Sequence, residues 1–449
     1  MVAIRQVEGK ADIKEFIEFP LRLYKDCPYF VPPLYSDEKK LLLAPKENET
    51  SESVFFLAER DGKTVGRIQG IIQKEYNSIH KCAQIRFTRF DSVDDPEVCR
   101  ALFTALEDFG RERGMTQICG PLGYSDLDRE GLLVEGFTED STFEEQYNYE
   151  YYGALIEGFG FTKDVDWLEF ELTAPDKRNE MLKRVAARSL ELNKLHIADT
   201  NMPKKAYLEK YRDGFFDCIE ECYRDLYGTV PISREAQDEL ISQFMLLLNN
   251  EYLIFVCDKD ERVVALGLCF PGIGGALKKS GGRLTPVALM KLLSAAKNPQ
   301  TIDLGLVAVR PEYQNAGLNA VILNALLDIL EEGRVKRCET NLNLETNTPV
   351  IAQWKYFNSR QHKRRRSYIK KIEGDKMLEK LKEILSKVLP DVDMVTVTEK
   401  TRLIEDLGFD SLALMMMSME IEDAFGFKFT EFVRFETVGD VCGYLESRI

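Results

Sequence analysis

Residues 301–333 have the sequence TIDLGLVAVRPEYQNAGLNAVILNALLDILEEG. The apolar run over 301–309 predicts a strand, and Pro311 and Gly317 bracket a turn. Beyond this turn apolar residues recur at helical spacing, which predicts a helix that ends near Gly333. A strand, a glycine-bearing turn and a helix together can aim backbone amides at a phosphate group. One glycine in such a turn is more often an ordinary connection, so the neighbouring residues have to decide between the two interpretations.

The run VRPEYQNAGL at 309–318 resembles motif A of the Gcn5-related N-acetyltransferase (GNAT) superfamily, usually written Gln/Arg-x-x-Gly-x-Gly/Ala. Gln314 and Gly317 match the motif, whereas Asn319 stands where it has glycine or alanine. This resemblance, over about 190–372, implies that the turn amides hold the pyrophosphate of a CoA-type donor, in space that Gly317 leaves free. It also implies that the preceding strand pairs with the pantetheine arm. The donor-binding positions implied are Val307, Val309, Gln314, Asn315, Ala316, Gly317, Leu318 and Asn347.

The N-terminal third repeats the same order of elements. Strands are predicted at 54–59, 64–73, 82–90 and 116–120, with a helix at 94–114 that acidic residues cap and Pro96 opens. The stretch YYGALIEGFGF at 151–161 is much like the closing helix and strand of a GNAT lobe. The motif A equivalent, RFDSVDDPEV at 89–98, has no glycine, so this resembles a second lobe without a phosphate site.

Residues 1–372 as a whole also resemble a two-lobed family of bacterial GNAT-like proteins. The stretches that carry this resemblance include FIEFPLRLYKDCPYFVPPL at 16–34 and GPLGYSDLDREGLLVEGF at 120–137. Some members of that family look like N-acyltransferases that place fatty chains on long-chain amines.

Residues 373–449 have a different character. A short polar hinge at 373–375 precedes apolar residues at helical spacing over 377–389, where Pro390 ends the helix. A further helix is predicted to begin at Ser411, with Asp410 as its N-terminal cap. A last short helix is expected within 436–449.

The runs LGFDSL at 407–412 and TVGDV at 437–441, with the helix between them, resemble an acyl carrier protein. The resemblance implies a four-helix bundle in which the Ser411 hydroxyl carries 4′-phosphopantetheine, whose terminal thiol holds an acyl group as a thioester. A phosphoryl group at a helix start also suits the positive end of the helix dipole.

The helix that begins at Ser411 has two apolar faces where a surface helix needs one. The first, through Met417 and Ile421, predicts the core of the module. The second is either buried within a larger protein or docks a partner, for which methionine is well suited. Its members are Leu412, Met415, Met416 and Met419.

Aminolysis of a thioester needs a neutral amine and an acid for the leaving thiolate. Asp303, in the strand before motif A, or Glu345 is the predicted base. Tyr356 is the predicted acid, because a tyrosine on the last helix often has that role in this superfamily. Each of the three residues also has a structural interpretation.

Two further clusters of polar or charged residues each have more than one interpretation. The polar run from Tyr124 to Glu130 is either a solvated loop with Asx turns or part of the acceptor pocket. The basic run Lys363–Arg366 is either a solvated surface or a patch that docks an acidic carrier, with nucleic-acid binding as a third alternative.

Composition excludes several classes of protein. The 449 residues exceed one ordinary core, which indicates two or more domains. The net charge of −15 argues against a nucleic-acid partner. No apolar run approaches a membrane span, there is no secretory signal, and the scattered cysteines and three histidines indicate no metal site. We therefore expect a cytoplasmic protein with reduced thiols, while peripheral membrane contact stays open.

The predicted fold class is α/β (α+β): tandem GNAT-like lobes with mixed sheets at 1–180 and 181–372, followed by an all-α carrier bundle at 373–449. The predicted function is N-acyl transfer from a phosphopantetheine thioester, on the protein's own carrier or on acyl-CoA or acetyl-CoA, to a small amine acceptor in lipid or secondary-metabolite synthesis. The expected partners are a phosphopantetheinyl transferase and an acyl-loading enzyme. The alternative is a non-catalytic or CoA-dependent scaffold that presents a carrier-tethered intermediate to other synthases.

Overall fold

The computed structural model describes residues 1–372, 376–394, 396–429, 433–446 and 448. The chain divides into two compact units, Met1–Lys370 and Lys371–Ile449, and each is described by itself. The hinge predicted at 373–375 lies outside the described residues. Among the described residues no helix is long and apolar enough to cross a membrane.

The first half of the larger unit follows the predicted order of strands and helices. Its strands are β1 (Ala3–Gln6), β2 (Ser51–Arg60), β3 (Lys63–Gln73), β4 (Gln84–Ser92), β5 (Gln117–Gly120), β6 (Leu132–Glu135) and β7 (Thr162–Thr173). Its helices are α1 (Lys10–Leu23), α2 (Tyr35–Leu43), α3 (Lys74–His80), α4 (Pro96–Arg111) and α5 (Tyr151–Gly158).

The second half begins with helices that precede its own strands. Its helices are α6 (Glu180–Asn193), α7 (Lys204–Tyr223), α8 (Arg234–Phe244), α9 (Gly274–Lys278), α10 (Pro286–Lys297), α11 (Leu318–Glu331) and α12 (Thr348–Ile351). Its strands are β8 (His196–Ile197), β9 (Leu253–Cys257), β10 (Val263–Pro271), β11 (Thr301–Val309), β12 (Arg337–Thr340), β13 (Asn343–Leu344) and β14 (Asn358–Lys371). Short 3₁₀ turns lie at Asn250–Tyr252, Pro311–Tyr313 and Ala352–Tyr356.

Both lobes contribute to one mixed sheet with the strand order β1-β2-β3-β4-β5-β14-β7-β12-β11-β10-β9-β8. The last strand of the second lobe, β14, lies between β5 of the first lobe and β7. The last strand of the first lobe, β7, in turn borders β12 of the second lobe. Each lobe therefore places its closing strand against the sheet of the other. The boundary at residue 180 stays a prediction, because the two lobes form a single compact unit.

Local chemistry accounts for the helices that flank the sheet. The Asp95 carboxylate caps α4 by accepting a hydrogen bond from the Glu97 N–H at 2.8 Å, and Pro96 occupies the first turn. One face of α4 is buried through Val98, Leu102 and Leu106. Such burial of an apolar stripe supplies most of the stability of a surface helix.

The smaller unit contains three helices among its described residues: α13 (Lys376–Val388), α14 (Ser411–Phe425) and α15 (Val438–Glu446). Their buried faces meet in one apolar core, to which Leu385, Met417 and Val441 contribute. These three helices form the core of the predicted helical carrier bundle, and a fourth helix is not assigned among the described residues. Part of the segment between α14 and α15, residues 430–432, lies outside the described residues.

Candidate active site

The sheet opens where β11 and β12 separate. The two strands pair in parallel from Thr301 and Arg337 as far as Leu304 and Thr340. Beyond that point β11 continues to Val309 alongside β10, while the chain after β12 turns away. The edge of β11 between residues 305 and 309 is therefore free of a strand partner on one side.

The hydroxyl of Tyr223, the last residue of α7, occupies part of this opening. It donates a hydrogen bond to the Val307 carbonyl at 3.1 Å and accepts one from the Val307 N–H at 3.3 Å. Burial raises the pKa of this phenol above its ordinary value, so the hydroxyl keeps its proton at neutral pH. Sequence analysis missed Tyr223, because nothing in its local pattern distinguishes it from the other core tyrosines of α7.

The predicted donor loop follows directly on β11. Pro311–Tyr313 form a 3₁₀ turn, Asn315 and Gly317 have φ values of 67° and 79°, and α11 begins at Leu318. First-turn amides of a helix have no partner within the helix, so this start can bind an anion. Ala316 is less available than predicted, because its N–H bonds the Tyr313 carbonyl at 3.1 Å and its carbonyl accepts from the Ser189 hydroxyl at 2.6 Å.

The structure gives a further reason for glycine at position 317. A β-carbon there would contact Val185 and Ser189 of α6 at 3.4–3.6 Å, which is ordinary packing. The requirement for glycine lies in the left-handed backbone, which β-branched side chains rarely adopt.

Gly317→Val should therefore distort the loop and weaken CoA binding about 5- to 150-fold, from roughly 1–3 kcal/mol of backbone strain. Gly333→Val is the matched control, because Gly333 has φ 78° at the other end of α11 and nothing within 4 Å of its β-carbon position. Calorimetric titration with CoA compares the two variants. An unchanged dissociation constant in Gly317→Val would place the donor elsewhere.

A cavity of about 820 Å³ connects the opening, the donor loop and two further walls. One of these walls is carboxylate-rich and comes from the first lobe, with Asp126, Glu130 and Glu144. The other is an apolar arm formed by α7, α8 and the sheet. The residues of this apolar arm are Leu208, Phe215, Ile219, Leu240, Ile241, Phe244, Leu248 and Phe270.

Most of the predicted donor residues line this cavity. They are Val307, Val309, Gln314, Asn315, Gly317, Leu318 and Asn347, and the cavity also reaches Asn319. Ala316 is the one predicted donor residue absent from the lining. The structure thus brings residues 307–318 together with Asn347, although 29 positions separate Leu318 from Asn347 in the sequence.

The three predicted catalytic residues lie outside the cavity lining. Asp303 is buried within β11, where burial and then the charge of Glu339 raise its pKa to about 8. The Glu345 carboxylate forms an ion pair with the Lys163 ammonium at 2.6 Å, which favours its structural interpretation. Tyr356 ends a 3₁₀ turn and packs against the core of the second lobe.

The polar run from Tyr124 to Glu130 forms a loop beside the cavity. The Asp128 carboxylate accepts hydrogen bonds from the N–H groups of Tyr124 at 2.7 Å and Ser125 at 3.3 Å, which precede it, whereas an Asx turn bonds forward to the residue two positions on. The same loop presents Asp126, Asp128 and Glu130 to the cavity. These hydrogen bonds thus shape a loop that forms one wall of the candidate site.

The basic run Lys363–Arg366 is neither a solvated surface nor a free docking patch. Lys363 and Arg365 are buried, and both contact the Glu169 carboxylate of β7, at 3.0 Å and 2.7 Å. Arg364 and Arg366 point to the other face, where both pair with Asp166. Successive side chains of a strand lie on opposite faces of the sheet, so the four residues of this run form ion pairs with β7 on both faces.

The carrier unit places Ser411 at the exposed start of α14. The Asp410 carboxylate accepts a hydrogen bond from the Ala413 N–H at 2.8 Å and so caps the helix. An exposed hydroxyl beside free helix amides fits a phosphodiester. The second apolar face of this helix is exposed at Leu412, Met415, Met416 and Met419.

Two family models match the chain. The phosphopantetheine attachment site matches residues 379–445, and the acetyltransferase (GNAT) family matches residues 212–358. Protein YghO of Escherichia coli is 27% identical over 386 residues, which cover 82% of this chain and 95% of that protein. A bacterial ceramide synthase of Caulobacter vibrioides is 25% identical over 325 residues, covering 70% of this chain and 82% of that protein.

Other known proteins resemble the carrier unit alone or share the fold of the chain. An acyl carrier protein of Thermotoga maritima is 39% identical over 77 residues, which cover 17% of this chain and 94% of that protein. A GCN5-related glucosamine N-acetyltransferase region of a fungal multi-domain β-N-acetylglucosaminidase shares the fold, with a TM-score of 0.50 at 12% identity, over 82% of this chain and 38% of that one. The chain is thus an acyltransferase that contains a domain matching the acetyltransferase (GNAT) family over 212–358 and ends in a domain of the acyl carrier protein family.

Proposed function

We propose that this enzyme transfers a fatty acyl group from the phosphopantetheine thioester on Ser411 to the amino group of a long-chain amine. One observation carries the proposal: a single cavity connects the donor loop, the opening beside β11, a carboxylate wall and an apolar arm. The similarity to a bacterial ceramide synthase supports an amine with a long chain. When bound, phosphopantetheine supplies the thioester, and acyl-CoA is the alternative donor at the same loop.

The residues of the cavity have distinct parts in this reaction. The edge of β11 at Val307 and Val309, where no strand pairs with it, positions the thioester beside the start of α11 when the Tyr223 hydroxyl turns from Val307 to the thioester sulfur. The amine nitrogen forms a bond to the thioester carbonyl carbon while the carbon–sulfur bond breaks. The Tyr223 hydroxyl, which keeps its proton, protonates the leaving thiolate. This assigns to Tyr223 the part that sequence analysis gave to Tyr356.

The apolar arm should set chain-length preference. Ile241→Trp would fill the arm and exclude a few methylene groups, each worth about 0.8 kcal/mol. We expect kcat/KM for a long-chain substrate to fall about 10- to 100-fold, with little change for a short-chain one. Varying the acyl chain and the amine chain separately shows which of them enters the arm.

Leu246→Trp is the control for this experiment, because Leu246 is an exposed apolar residue just beyond α8. An Ile241→Trp enzyme that keeps the wild-type preference for both chains would contradict this use of the arm.

Helix α10 supports peripheral contact with an anionic membrane. Residues 263–302 include five Lys or Arg residues and no Asp or Glu, in a chain with net charge −15. Val287, Met290 and Leu293 are exposed on α10, while Leu292 on the opposite face packs into the core that also borders the apolar arm. An exposed apolar face among lysines is typical of helices that lie at a lipid interface.

Val287→Asp with Met290→Asp should reduce binding to vesicles of anionic phospholipid at least tenfold, because charges would enter the headgroup boundary. Met181→Asp with Leu192→Asp, on exposed α6, is the matched control. Co-sedimentation with anionic and with zwitterionic vesicles measures the effect. Equal binding of all variants, or no binding by the wild type, would contradict the proposal.

A further inference from the structure

Three carboxylates of the cavity wall have no direct ion-pair partner among the described residues, although the positive charges of Arg86 and Arg129 act on them from a greater distance. In the described part of the chain, no Lys or Arg nitrogen lies within 4 Å of the carboxylates of Asp126, Glu130 or Glu144. The adjacent Glu145 differs, because its carboxylate pairs with Arg365 at 3.1 Å. Glu130 is buried, and Asp126 and Glu144 are half-buried. Buried charges in proteins are normally paired directly, so a buried carboxyl group without such a pair indicates that a cationic ligand completes it.

Glu130 is the most constrained of the three. Its side chain is 4% exposed, lines the cavity, and its Oε1 atom has no hydrogen-bond partner. The Arg86 guanidinium holds the surrounding loops by donating to the Gly123 carbonyl at 3.1 Å and the Gly228 carbonyl at 3.0 Å. The oxygen is therefore held in place without a partner, an arrangement that is unfavourable unless a ligand donates a hydrogen bond to it.

The electrostatics of the wall agree with this geometry. Burial, and then the nearby charge of Asp126, raises the pKa of Glu130 well above its ordinary value. Burial also raises the pKa of Asp126 to about 6 and, with the charge of Asp303, that of Glu144. A carboxylate with a raised pKa is a stronger base, and a cation placed beside it restores the charged form.

We infer that this wall binds the ammonium group of the acceptor, and that the Glu130 carboxylate is the base that deprotonates it. The inference rests on the proposed function and deepens it by naming the acceptor subsite. It replaces Asp303 and Glu345 as candidate bases, since neither of them lines the cavity.

Three groups of the cavity carry protons in this reaction. The ammonium gives one proton to the Glu130 carboxylate, and the neutral amine attacks the thioester carbonyl carbon. As the carbon–sulfur bond breaks, the new amide nitrogen gives a second proton to the Asp126 carboxylate, and the thiolate takes one from the Tyr223 hydroxyl. Asp126, which lines the same cavity as Tyr223, then restores the proton of the Tyr223 hydroxyl. One proton per turnover leaves from Glu130 to solvent.

Glu130→Gln tests the assignment in the full-length, acyl-loaded protein. We expect kcat/KM for amide formation to fall about 10²- to 10⁴-fold, as for the loss of a general base. We also expect the melting temperature without ligand to stay the same or rise, because an unpaired buried carboxyl is removed. Glu135→Gln, at the exposed end of β6, is the matched control and should change neither quantity.

Binding of dodecylamine and dodecanol separates recognition of charge from recognition of the chain. The wild type should bind the amine at least tenfold more tightly than the alcohol, and Glu130→Gln should remove that difference. Wild-type transfer rates in Glu130→Gln, or a lower melting temperature, would overturn the inference while the proposed function stands. Failure of the wild type to acylate any long-chain amine would instead overturn the proposed function.

Discussion

Ser411→Ala is expected to gain no mass when it is incubated with a phosphopantetheinyl transferase and CoA, whereas the wild type gains one phosphopantetheine group. The alanine has no hydroxyl to form the phosphodiester. The Asp410 cap and the buried residues Met417 and Ile421 are untouched, so the helix should still fold. Acyl transfer from the carrier should then be lost completely, and intact mass together with amide product measures both effects.

Ser418→Ala is the control on the same helix, because the Ser418 hydroxyl donates only to the Leu414 carbonyl at 2.9 Å. It should load and transfer like the wild type. A Ser411→Ala protein that uses added acyl-CoA at the full rate would show that the carrier is not the obligatory donor. A mass gain in Ser411→Ala would show that the cofactor is attached elsewhere.

Glu169→Ala is expected to destabilise the larger unit by about 3 kcal/mol, because two buried cations lose their shared partner and each keeps one other carboxylate, Glu339 for Lys363 and Glu145 for Arg365. The Glu169 carboxylate joins Lys363 and Arg365 at 3.0 Å and 2.7 Å, and so connects the closing strands of the two lobes. Chemical denaturation followed by fluorescence measures the change in the free energy of unfolding. Glu171→Ala is the control on the same strand, since its partners Arg337 and Arg360 are much more exposed.

The same carboxylate predicts the direction of a pH effect. Burial alone would raise the pKa of Glu169, but the charges of Arg365 and Lys363 outweigh it and lower the pKa to about 2. Its contribution to stability should therefore be complete above the unfolded value near 4.5 and fall away as the pH drops towards 2. Equal stability of Glu169→Ala and Glu171→Ala at pH 7 would contradict this account.

The sequence predicted those elements whose structure depends on residues only a few positions apart. The donor turn at Gly317 and the capped start of α14 at Ser411 depend on residues a few positions apart, and both lie where predicted. The order of strands and helices in the first lobe follows from alternation, helical spacing and glycine-bearing turns in the same way.

What the sequence did not reveal depends on contacts between distant residues. The position of β14 between β5 and β7 makes Lys363 and Arg365 internal ion-pair partners, although the run resembles a surface patch. Tyr223 contacts Val307, which is 84 positions away in the sequence. Glu130 lines the cavity only because the first lobe packs against the second. The apolar arm has no sequence signature distinct from that of an ordinary core.

A single-turnover experiment tests the central claim most directly. The full-length protein is loaded with one fatty acyl group on its phosphopantetheine, freed of CoA and mixed with excess long-chain amine. The account predicts that intact mass shows loss of the acyl group with formation of one equivalent of amide, at a rate independent of protein concentration. An acyl group that stays on the carrier, or that leaves only as free fatty acid, would contradict the account.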